Sequence, residues 1–65
     1  MMEPRIIGHV ISNSGVKHYV RYCYDDDLLQ ISTYKTGPWF VVMDQYQLDE
    51  NALKYAKEFV DSVMT

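Results

Sequence analysis

Residues 16–34 read VKHYVRYCYDDDLLQISTY, two runs mixing β-branched or aromatic residues with polar ones, parted by three aspartates. A period of two marks a half-buried strand, and clustered Asp favours a turn because its side chain caps its own backbone. The stretch therefore predicts a β-hairpin in which Val16–Tyr24 and Leu28–Tyr34 flank an Asp25–Asp27 turn. Upstream, Ile6–Ile11 is apolar or small apart from His9, and Asn13-Ser14-Gly15 supplies turn chemistry, which adds an antiparallel neighbour. Downstream, Lys35-Thr36-Gly37-Pro38 punctuates the chain, and Trp39–Met43 reads as a short, strongly apolar fourth strand.

The period then changes. Ala52, Leu53, Ala56, Phe59, Val60, Val63 and Met64 recur at helical spacing, with Asn51, Lys54, Glu58 and Asp61 towards the opposite side. Asp49 fits as the N-cap, Glu50 sits where the helix dipole favours an acid, and Leu48 is placed to pack on Leu53 as a hydrophobic staple. Glu50 with Lys54 and Lys57 with Asp61 form i,i+4 pairs that support a helix. The expected fold is α+β: an antiparallel meander of three to four strands with one C-terminal helix packed on one face, ββββα, as a single domain over residues 1–65. One helix leaves the other face of such a sheet uncovered.

At 65 residues the chain buries a thin core, about 60% of the surface its unfolded form exposes. Apolar residues at 48% are too many for a disordered chain. Cys23 is the single cysteine, so no intrachain disulfide staples the domain, and packing or a second copy must supply stability. The N-terminus offers neither a signal peptide nor an apolar span long enough for a membrane, so a cytoplasmic protein is expected. The net charge of −3 hides an asymmetry, +2 over residues 1–24 and −5 over residues 25–65. A pI near 5.0 argues against a duplex DNA binder, which usually carries a basic stripe.

Tyr24-Asp25-Asp26-Asp27-Leu28-Leu29 resembles the metal-binding hairpin of reverse-transcriptase palm domains, and that resemblance implies paired metal ions on carboxylates. A palm also needs a third carboxylate on a neighbouring strand, fingers and thumb elements, and a shaped cavity, for which this chain has no room. The spacing does not fit an EF-hand loop either. The turn is therefore read as solvated, or as an acidic tip that engages a basic groove on a partner. His9 and His18 are expected roughly opposite each other on the first two strands, without the further ligands that zinc requires. No catalytic residue, metal or cofactor is assigned.

Tyrosine is the conspicuous residue type, with six copies. Tyr19, Tyr22, Tyr24, Tyr34 and Trp39 fall on strands or at their ends, so alternation sends some of these rings to the uncovered face, beside Lys17 and Arg21. Protein interfaces are enriched in such residues. The expected function is a non-enzymatic protein-interaction module acting through its sheet face, an exposed edge or the acidic turn. Candidate contacts are Tyr19, Arg21, Tyr22, Tyr24, Asp25, Asp26, Asp27, Tyr34 and Trp39. An uncovered face and open edges also favour a homodimer. In size, acidity and cysteine poverty the chain resembles accessory and inhibitor proteins of phages and other mobile elements. The alternative is a nucleotide or single-stranded nucleic-acid binder that stacks bases on the sheet aromatics.

Overall fold

A computed structural model of the chain describes residues 2–63. The strands are β1 (Arg5–Ile11), β2 (Lys17–Cys23), β3 (Leu28–Ser32) and β4 (Phe40–Met43), and they pair antiparallel in sequence order in one open sheet. Helix α1 (Ala52–Val63) lies across one face of it. This is the ββββα meander that the sequence predicts, and Met64, the last residue of the expected apolar stripe, lies outside the described residues.

Register assigns the faces, because residues paired across strands point to the same side. The row Gly8–Val20–Ile31–Phe40 and the row Arg5–Tyr22–Leu29–Met43 face the helix. Val20, Leu29 and Ile31 are sealed from solvent beneath Ala52, Ala56 and Val60, which recur every fourth residue of α1. Two of those three helix residues are alanine, so the backbone comes close to the sheet. Gly8 belongs to the same contact: a Cβ there would stand 3.1 Å from both methyl groups of Leu53. Tyr55 and Phe59 close the flanks of the core.

Two connections fix the frame. In the β1–β2 turn Gly15 takes φ +90°, and the Ser12 hydroxyl accepts the Val16 N–H at 3.0 Å. The same turn is tied to the helix, since Asn13 donates its N–H to Asp61 at 2.8 Å and Lys57 reaches the Asn13 side chain at 3.1 Å while pairing with Asp61 at 2.8 Å. Between β4 and α1, Tyr46 donates its N–H to the Asp27 carbonyl at 2.9 Å, and the Asp49 carboxylate accepts the Asn51 N–H at 2.9 Å as the expected cap.

Three local expectations change. β3 stops at Ser32 rather than Tyr34, because the Ser32 hydroxyl takes the Tyr34 N–H at 3.0 Å and turns the chain. Trp39 precedes β4 instead of opening it, following Gly37 at φ +86° and a cis Gly37–Pro38 peptide. His9 pairs with Tyr19 and His18 with Val10, so a one-residue offset sends the two imidazoles to opposite faces, with His18 buried and its Nδ1 without a hydrogen-bond partner among the described residues.

Candidate functional site

The three aspartates resolve first. Asp27 adopts φ +53°, the left-handed geometry that ends the β2–β3 turn, and its carboxylate accepts a hydrogen bond from the Tyr22 hydroxyl at 2.8 Å. Asp25 accepts the Met2 N–H at 3.3 Å. Asp25 and Asp26 are exposed, and among the described residues no group of three or more His, Cys, Asp or Glu is placed to hold a metal ion. Asp27 thus fastens the hairpin tip to the core.

The tyrosines divide by face. Tyr24, Tyr22, Tyr46 and Tyr55 form a continuous edge-to-face series with centroid separations of 4.9, 6.5 and 5.8 Å on the helix side. Tyr22 is only 3% exposed, and its hydroxyl faces both Asp27 and the Tyr46 carbonyl, the latter at 2.6 Å. Burial, with Asp27 beside it, raises the Tyr22 pKa above its ordinary value. Burial and a hydrogen bond to Asp49 push Tyr46 up to about 12. Tyr22 and Tyr24 therefore stand on the helix side, away from the helix-free face. Tyr34 is 66% exposed in the β3–β4 connection, off the sheet.

The helix-free face is built by the alternate set, of which Cys23 and Ser32 are buried and Tyr19 and Arg21 half-buried. The row Ile6–Arg21–Gln30–Val41 crosses all four strands, and the row His9–Tyr19–Ser32 runs beside it. Gln30 accepts the Arg21 Nε–H at 2.7 Å and the Cys23 thiol at 3.0 Å, which aims the guanidinium over Trp39, its Cζ 4.2 Å from the ring centroid. Lys17 and Lys35 bring their ammonium groups over the Tyr19 ring, at 5.0 and 5.7 Å. Each such contact contributes about 0.5–1 kcal/mol at an exposed site. Three of the six cations thus gather on this face, none of the nine acids occupies a strand position on it, and among the described residues none of the three is ion-paired.

Of the candidates named from sequence, Tyr19, Arg21 and Trp39 converge here, while Tyr22, Tyr24, Tyr34 and the aspartates do not. Lys35 and Val41 were missed. Anchoring the alternation on Val20 as the inward residue finds Tyr19 and Arg21, whereas Lys35 becomes visible only once the turn it occupies folds back over Tyr19. An open depression lined by Met2, Glu3, Pro4, Arg5, Ile6 and Tyr24 lies at the start of β1 and gathers no reactive cluster.

Among known proteins, the chain matches no family model, no curated protein and no solved structure. No described helix is long and apolar enough to cross a membrane.

Proposed function

We propose that the protein is a non-enzymatic interaction module that binds an acidic surface of another protein through the helix-free face of its sheet. The observation that carries this reading is the gathering of Lys17, Arg21 and Lys35 around Tyr19 and Trp39, on a sheet whose strands hold no carboxylate, in a chain of net charge −3. Unpaired cations beside aromatic rings supply both steering and anchoring: the charges orient an acidic partner during approach, and Arg, Trp and Tyr are the side chains that dominate interface energetics. Because all nine acids lie outside the four strands, the face stays attractive to an acidic partner despite the negative total. A small chain of this kind acts by occupying a partner's surface, the mode of an accessory or inhibitor protein.

Protein is favoured over single-stranded nucleic acid by the state of the rings. Base stacking needs an open aromatic face, whereas Arg21 already covers Trp39 and two lysines stand over Tyr19. An acidic side chain meets those cations without displacing them. Trp39 is the single tryptophan, so its fluorescence reports on the site directly. The test titrates it with a short glutamate-rich peptide and, separately, with oligothymidylate. The peptide is expected to bind with salt-dependent affinity that falls about tenfold in Lys35→Glu. Tight binding of the oligonucleotide alone would transfer the face to nucleic acid, and silence towards both would remove it as a binding site.

A further inference from the structure

Resting on that reading, we propose how the acidic partner docks: an extended segment alternating acidic and apolar residues adds to the free edge of β4 as a fifth strand. β4 is an outer strand, and none of its four residues carries a charge. Phe40 and Val41 are 51% and 46% exposed, yet both pair regularly with β3, through Ile31 and Gln30. The extra residue of the β3–β4 register shift, Val42, lies beyond that pair. The opposite edge differs, since β1 begins at Arg5 and places exposed His9 in its middle, whereas both edges carry one register shift. A charge on an edge discourages strand addition, and a bare apolar edge invites it.

The side-chain rows specify the occupant. A strand added beside β4 lies about 4.8 Å away and extends the rows already present. The residue beside Val41 continues Ile6–Arg21–Gln30–Val41 and projects onto the face where Arg21 covers Trp39. The residue beside Phe40 continues Gly8–Val20–Ile31–Phe40 and lies against the exposed phenyl ring. Acids therefore belong at one phase and apolar residues at the other, with glutamate favoured for its reach. A second copy is opposed by charge. Pairing β4 with its symmetry mate about a two-fold axis normal to the sheet sets two Arg21–Trp39 stacks and both lysine pairs on one shared face.

The experiment uses the whole chain and an end-capped peptide alternating glutamate and valine, in three forms: unmodified, N-methylated at every glutamate, and N-methylated at every valine. Successive N–H groups of a strand point to opposite sides, so each methylation phase blocks one edge of the peptide and leaves its charges intact. Strand addition predicts that one phase binds like the parent while the other loses at least about tenfold in affinity, with slowed amide exchange in β4. Equal binding by both phases, still weakened by Lys35→Glu, would overturn strand addition and leave the acidic-partner reading standing. No binding by the parent peptide would overturn strand addition, and no binding by the glutamate-rich peptide either would remove both readings. A dimer of the chain alone in sedimentation, undisturbed by saturating peptide, would give the edge to a second copy and overturn the proposal.

Discussion

Gly37→Ala probes the connection between backbone geometry and the binding face. Gly37 sits at φ +86°, and a Cβ on it would lie 2.7 Å from Trp39 Cδ1 and 3.2 Å from the Trp39 backbone nitrogen. Gly15 is the internal control, at φ +90° with nothing within 4 Å of its would-be Cβ. The left-handed conformation costs an alanine about 1–2 kcal/mol, partly offset by about 0.4–1 kcal/mol from the stiffer unfolded chain, so Gly15→Ala should lose about 1 kcal/mol. Gly37→Ala bears the same backbone cost plus the overlap with a ring whose face is held by Arg21. Overpacking of this kind costs about 1–3 kcal/mol, which gives about 2–4 kcal/mol in total. For a domain this small, each kcal/mol moves the melting temperature by roughly 4–8 °C. Thermal melts of the two variants, followed by circular dichroism, should separate by about 10 °C, with Trp39 emission altered in folded Gly37→Ala and unchanged in Gly15→Ala. Equal destabilisation of the two, or native Trp39 emission in Gly37→Ala, would refute the contact.

Three further outcomes follow from the core and its fastenings. Tyr46 is raised in the folded state to about 12, so the stability it contributes is complete below the ordinary phenol value of 10.0 and is lost as pH climbs towards the raised value; unfolding curves across that window should fall, and fall less steeply in Tyr46→Phe. Tyr22, also raised, acts in the same direction. Ile31 is fully buried, so Ile31→Val should cost about 1 kcal/mol and Ile31→Ala about 3 kcal/mol, the latter close to the whole stability expected of a domain this small and visible as lost cooperativity in urea. The Lys57 ammonium and the Asn13 N–H hold the Asp61 carboxyl below its ordinary 3.8, so its contribution is present above that value and lost as pH falls through the lowered one. Asp61→Asn should abolish that acid dependence and speed hydrogen exchange at the Asn13 amide.

Elements with a strong local period were legible from sequence. The meander follows from the Val16–Tyr34 alternation and its turns, and the helix from its apolar stripe, although the buried line narrows to Ala52, Ala56 and Val60 while Leu53 and Val63 stay exposed. Register was not legible, because Val20-Arg21-Tyr22-Cys23 fits either face until Val20 is seen paired with Ile31 under the helix. That one choice separates Tyr19 and Arg21, which reach the candidate site, from Tyr22, which does not. Composition also concealed the basic face, since net charge sums over both sides of the sheet. The role of Asp27 depended on a hydroxyl five residues away in sequence and on the returning chain at Tyr46, contacts that no local pattern encodes.

The binding face itself is tested most directly by amide NMR mapping of the isotope-labelled chain titrated with the glutamate–valine peptide, repeated with Lys35→Glu. Shift changes centred on Tyr19, Arg21, Lys35, Trp39 and Val41, weakened by the charge reversal, are the predicted result. Changes confined to the Asp25–Asp27 tip or to α1, with the cation-bearing face silent, would contradict it.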